Sequence, residues 1–259
     1  MLETKKNLRF LTPKSDRTDF PLFVFFPGMD GTGTLLKTQI DSLAKDFEVR
    51  ALSISPQDLS DWDGLTDEAV ALIQDELSDS PQRSIYLCGE SFGGCLALKV
   101  ATSKPWLFDR LILVNPASSF KQRGWLSLGV QITQWMPAFL HPGATMGLLP
   151  FLAATGRVET SDRLALLEAM NSLPPKTVSW RLSLLRDFDV EEKDLRRLTQ
   201  PVLIIAGAAD LLLPSVEEGR RLSKNLPNAQ TLVLPDSGHA CLLERDTNLW
   251  QIMQETNFL

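Results

Sequence analysis

The sequence predicts an α/β fold, an open and mostly parallel sheet with helices on both faces. Three observations carry that expectation. Short apolar runs recur along the 259 residues, helix-like stretches separate the first of them, and the one long break in this rhythm is itself rich in helix. Strand and helix in alternation pack as a parallel sheet between helical layers.

The runs are 22–26 (LFVFF), 85–88 (IYLC), 111–114 (LILV), 202–206 (VLIIA) and 231–234 (TLVL), with 48–54 a weaker member. They are continuous rather than alternating, as strands buried on both faces are. Residues 34–44 place Leu35, Leu36, Ile40 and Leu43 at helical spacing, and 66–77 do the same with Ala69, Val70, Leu72, Ile73 and Leu77. Asp67 and Glu68 open the second stretch, where acids favour a helix start. After Asn115-Pro116 no strand is expected until about Thr199. That interval holds Trp125, Trp135, Trp180, several prolines and many leucines, and 163–173 reads as helix. The expected organisation is a core of residues 1–115 and 200–259, with 116–199 as a helical cap over the carboxyl edge of the sheet. Ligands of open α/β sheets bind at that edge, and a cap there excludes water. Extra core helices are the alternative use of the same segment.

Composition narrows the function class. Apolar content is 44%, charged content 22% and formal net charge −6, an ordinary globular balance that gives no support to nucleic-acid binding. Cys88, Cys95 and Cys241 are an odd count without metal-like spacing, so neither a disulfide framework nor a metal is expected and a reducing compartment fits. The first ten residues, MLETKKNLRF, contain no apolar h-region, and no run approaches the roughly 18 residues of a membrane span. A cytoplasmic protein, with peripheral membrane contact as a further expectation, follows.

The chemistry is concentrated in Gly89, Glu90, Ser91, Phe92, Gly93 and Gly94, which join the run 85–88 to a small-residue helical stretch. Strand, Gly-x-Ser-x-Gly and helix make a nucleophile elbow: the sharp turn lifts the serine Oγ into the open. A serine hydroxyl needs a base, and the base needs an acid to orient it. Only two histidines exist. His239 follows the last apolar run in Asp236-Ser237-Gly238-His239, at a strand's carboxyl end; His141 lies in the 116–199 stretch and reads as a polar loop residue. The acid belongs between serine and histidine in chain order. Asp210, after VLIIA and Gly207-Ala208-Ala209, fits best; Asp187, Asp189 and Asp194 are rivals, and Asp236 reads as turn chemistry. The oxyanion hole should use the N–H of Phe92 and one from the loop after the first long strand, 27–33 (PGMDGTG), with Met29 the best candidate. Such donors lower a barrier by roughly 3 kcal/mol each. Gly28 and Asp30 in that loop, with Trp125 and Trp135, are candidate substrate contacts. Gly31-x-Gly33 lacks the third glycine of a dinucleotide fingerprint, since Leu36 stands there, and no cofactor is expected.

With these residues in this order the chain resembles the α/β-hydrolases. PGMDGTG, GESFGGCLA at 89–97, Asn115-Pro116-Ala117-Ser118-Ser119-Phe120 and Asp236-Ser237-Gly238-His239 together resemble the esterase/lipase/thioesterase half of the phytyl ester synthase/diacylglycerol acyltransferase family of plastids and cyanobacteria. The resemblance implies acyl transfer from a thioester or glycerolipid to phytol, another long-chain alcohol or diacylglycerol. Many plastid members carry a second half with a His-x4-Asp motif. Here His141 is followed by Thr145 and Met146 at four and five residues, and His239 by Glu244 at five. Hydrolysis by water and transfer to an alcohol therefore both stand as expectations, beside a small-molecule esterase or thioesterase and a non-catalytic ligand-binding fold.

Overall fold

A computed structural model describes residues 7–13, 19–78, 80–122, 147 and 149–259. Seven strands form one sheet in the order β1-β3-β2-β4-β5-β6-β7. They are β1 (Leu8–Leu11), β2 (Leu22–Phe26), β3 (Glu48–Ile54), β4 (Ile85–Glu90), β5 (Arg110–Val114), β6 (Val202–Gly207) and β7 (Ala229–Leu234). Six run parallel; β1 pairs antiparallel with β3, Leu8 opposite Ile54. Sequence reading did not anticipate β1. Its four residues are too few for periodicity to register, and only pairing with β3 defines them.

Alternation of side chains across the sheet sorts the strands into two apolar layers. Val24, Leu87, Leu111 and Ile204 point to one face, against Ala69 and Ile73 of α2 (Trp62–Leu77), Leu96 and Val100 of α3 (Phe92–Ser103), and Leu222 of a helix at Ser215–Asn225. Phe23, Phe25, Cys88, Ile112 and Ile205 point to the other, against α1 (Lys37–Leu43) and the C-terminal helix Leu249–Glu255. Continuous apolar runs thus mark strands covered on both sides. The run 231–234 departs from that reading. It lies in an edge strand, and Val233 is 41% exposed. Helix α2 begins at Trp62 rather than Thr66, because the Asp61 side chain accepts the Gly64 N–H and caps it there.

Between β5 and β6 the described residues form a 3-10 turn (Ala117–Gln122), then α4 (Thr160–Asn171), α5 (Pro175–Arg186) and the one-turn α6 (Glu192–Leu195), and no named strand. The helices Ser215–Asn225 and Leu249–Glu255 are α7 and α8. From β2 the chain crosses to β3 on one side, and β4 then pairs with β2 on the other. The loops after β2 and β4 therefore diverge, and the crevice between them is where such sheets bind ligands.

Candidate active site

Ser91 sits at that crevice. Its backbone is held at φ 53°, ψ −114°, a region a residue with a Cβ avoids and that persists only where the surroundings over-determine it. The surroundings do so here by close approach. A Cβ on Gly93 would run into the Phe26 carbonyl, and one on Gly89 into the Gly93 carbonyl. The Ser91 carbonyl is taken by the N–H groups of Gly94 and Ala117, and its own N–H by the Val114 carbonyl. The turn is fixed, and Oγ stands at the end of β4.

Two loops from distant sequence meet it. His239 Nε2 lies 2.8 Å from Ser91 Oγ, and His239 Nδ1 lies 2.8 Å from Asp210 Oδ2. Asp210 Oδ1 accepts the N–H groups of Leu212 and Leu213, and Oδ2 also accepts the Ser215 hydroxyl. Burial opposes the Asp210 carboxylate, but the His239 charge and these hydrogen bonds outweigh it and hold its pKa below the usual range. Burial likewise opposes the imidazolium of His239, and the Asp210 charge and hydrogen bond, with a smaller contribution from Glu90, outweigh it and raise its pKa. The structure thus brings Ser91, His239 and Asp210 together in one hydrogen-bonded line. An arrangement of this kind can activate a hydroxyl at neutral pH and pass its proton to a leaving group.

The turn 28–31 faces the same point. Its ends are closed by the Gly31 N–H on the Gly28 carbonyl, at 3.0 Å. Among the described residues, the backbone N–H groups of Met29 and Phe92 donate to no protein group. Gly28 lies beside the Ser91 Cβ. Asp30 is buried, and its Oδ1 accepts the N–H and hydroxyl of Thr32. Burial raises the Asp30 pKa. Glu90 is half-buried, with Oε1 enclosed and without a protein partner. Burial lifts its pKa to about 7, with Asp30 pushing the same way and His239 opposing. Cys88, Cys95 and Cys241 are free and buried, and burial drives all three thiols well up. Trp125, Trp135 and His141 lie outside the described residues.

Three residues to which sequence reading gave no role hold these loops in place. Asn115, fully buried at the end of β5, donates through Nδ2 to the carbonyls of Gly238 and His239, and its Oδ1 accepts the Gly207 N–H. Its position right after an apolar run was the available signal. Glu244 is buried; it accepts the Gly238 N–H on Oε1 and Arg157 Nε on Oε2, each at 2.8 Å. Arg181 of α5 donates to the Met29 carbonyl at 2.6 Å and the Ser55 carbonyl at 3.2 Å. Nothing local in the sequence around either residue announces these contacts.

Comparison with known proteins gives the family and the fold. Residues 55–246 match the Hydrolase_4 family, described as serine aminopeptidase, S33. The chain is 34% identical over 92% of its length to Phytyl ester synthase 1, chloroplastic, of Arabidopsis thaliana, and spans 37% of the length of that relative. It is 29% identical to "Putative carbamate hydrolase RutD" of Stutzerimonas stutzeri, with 86% of each chain covered. Its fold superposes on the enol-lactonase of Burkholderia xenovorans LB400 with a TM-score of 0.79, covering 97% of this chain and 96% of the other at 16% identity. With a family match over most of its length and the sheet and crevice of that fold, the chain belongs to the Hydrolase_4 (S33) family of α/β-hydrolases.

Proposed function

We propose that the protein is a serine-dependent acyl-ester hydrolase or acyltransferase that works on lipid or thioester acyl groups through an acyl-enzyme on Ser91. The observation that carries this reading is the hydrogen-bonded line from Asp210 through His239 to Ser91 Oγ. Ser91 Oγ bonds to the acyl carbon while His239 Nε2 takes its proton, and Asp210 stabilises the imidazolium. The N–H groups of Met29 and Phe92 hold the oxyanion. Collapse breaks the bond to the leaving alcohol or thiol, which takes the proton from His239. Water or an acceptor alcohol then attacks the acyl carbon and gives its proton to His239; the bond to Oγ breaks, Ser91 takes that proton from His239, and the free hydroxyl and neutral imidazole are restored. Similarity to a phytyl ester synthase over most of this chain supports acyl transfer with phytol as an acceptor. On this reading residues 116–199 cap the site and select between water and alcohol.

Likeness to the RutD protein over 86% of both chains supports a second reading, a hydrolase of small soluble substrates. One experiment separates them: purified protein with acyl thioesters, galactolipids and short p-nitrophenyl esters, each with and without phytol. Phytyl ester, lost by at least ~10⁴-fold in Ser91→Ala, supports transfer. Free fatty acid alone sinks it, and turnover of the short esters alone favours the second reading. Failure of Ser91 to react with a fluorophosphonate in the folded protein would leave a binding fold without catalysis.

A further inference from the structure

We infer that Arg181 is the positioning residue of the oxyanion hole, its forked guanidinium pinning the central peptide of the Gly28–Gly31 turn. The inference rests on the hydrolase reading and deepens it. Gly28 and Gly31 are the bonded ends of a four-residue turn, so Met29 and Asp30 are its corners. The peptide between the corners, which carries the Met29 carbonyl, is the one whose rotation converts one turn type into another. Arg181 Nη1 donates to that carbonyl at 2.6 Å, while Nη2 bonds the Ser55 carbonyl at 3.2 Å, just beyond β3. The bridge blocks that rotation and ties the turn, and with it the preceding Gly28–Met29 peptide that carries the proposed oxyanion donor, to the backbone just beyond β3.

Two further observations single out this side chain. Arg181 is only 2% exposed, an unusual position for a guanidinium. Burial lowers its pKa, and the charges of Asp30 and Asp58 partly offset that effect. The turn is shaped around it as well. Gly31 has φ +70°, and a Cβ there would collide with Arg181 Nη1. The guanidinium also lies 6.0 Å from the centre of the Phe92 ring, so one group from α5 bonds one of the two residues whose N–H groups would face the oxyanion and lies over the ring of the other. A planar fork suits a two-carbonyl bridge, and a lysine ammonium does not reproduce it.

The test compares Arg181→Met, Arg181→Lys and Trp180→Phe with the wild type on a p-nitrophenyl ester and on a trifluoromethyl ketone, whose adduct carries the oxyanion. Trp180 Nε1 bonds the Ser60 carbonyl and anchors the same helix without touching the turn. The expected result for Arg181→Met is a kcat loss of roughly 10- to 100-fold, short of the 10²–10³-fold of deleting a donor. Ketone affinity should fall in parallel, KM should change less than about threefold, and Trp180→Phe should keep wild-type kcat. Amide hydrogen exchange at Asp30 and Gly31 should quicken in Arg181→Met. Wild-type turnover with Arg181→Met within twofold of it overturns the assignment alone; no turnover and no ketone binding in the wild type overturns the hydrolase reading instead. If Arg181→Met does not fold, Arg181→Lys decides: kcat and ketone affinity within twofold of wild type overturn the bridge.

Discussion

Helices α4 and α5 follow one another in the chain and are held in different ways. α5 is welded to the sheet. Leu184 and Leu185 join the apolar layer of Trp62, Phe92 and Leu96, Trp62 Nε1 bonds the Leu184 carbonyl, and Thr177 bonds the Pro56 carbonyl. α4 stands on a cluster of its own, Leu166 with Ala153, Val158 and Leu243. Ion pairs tie it and the segment before it to the core, Lys37 with Asp162 and Arg157 with Glu244. α5 reaches the Gly28–Gly31 turn, and the segment before α4 reaches the loop of His239. A wall continuous with the core opens only when the core opens, whereas a wall on a satellite cluster can open by itself.

The largest test is a matched pair. Leu185 and Leu166 are both 5% exposed, so their transfer free energies are alike and only their surroundings differ. Leu185→Ala should cost about 3–4 kcal/mol and lower the denaturation midpoint of the whole protein. Leu166→Ala should cost about 2 kcal/mol and speed hydrogen exchange in α4 before any global change. Equal costs with uniform exchange would erase the contrast. The second test is Arg157→Met. Glu244 is fully buried on its side chain and Arg157 is 32% exposed. Stranding the Glu244 carboxylate costs less than the fully buried case, about 1–2 kcal/mol by denaturant titration. The histidine loop should loosen while the oxyanion turn does not, so kcat should fall with the acid limb of the pH profile unmoved.

The smallest effect leaves both helices alone and probes the floor between them. His239 must be neutral to accept the Ser91 proton, and its pKa is raised, so activity should fall as pH drops through a midpoint above 6.5. Glu90 contributes negative charge to that rise. Glu90→Gln removes that charge, which is only partly present near its own pKa of about 7, and should move the acid limb of kcat/KM slightly to lower pH. A limb that stays, or moves upward, would show that Glu90 does not act on His239.

The strands were legible because burial on both faces writes itself into consecutive residues. Ser91 was legible because an elbow is local: strand, two glycines and a helix start within ten residues. Asp210 and His239 followed from chain order at strand ends. Asn115, Glu244 and Arg181 were not legible in the same way, since each acts on backbone carbonyls or N–H groups, for Asn115 and Arg181 far off in sequence, and backbone atoms leave no residue-type signature. The same limit hid β1. It also misplaced the start of α2, where a side-chain cap five residues upstream, at Asp61, outweighed the pattern of apolar positions.

Ser91 and its base are separated by 148 residues, and Asn115 cannot satisfy Gly207, Gly238 and His239 until β6 and the loop after β7 have both docked. During synthesis the elbow can therefore form on β2, β4 and β5 long before it has a proton acceptor. A nascent chain carries an inert alcohol. On the proposed mechanism reactivity arrives only when the loop after β7 docks, so that competence for chemistry also reports completion of the sheet.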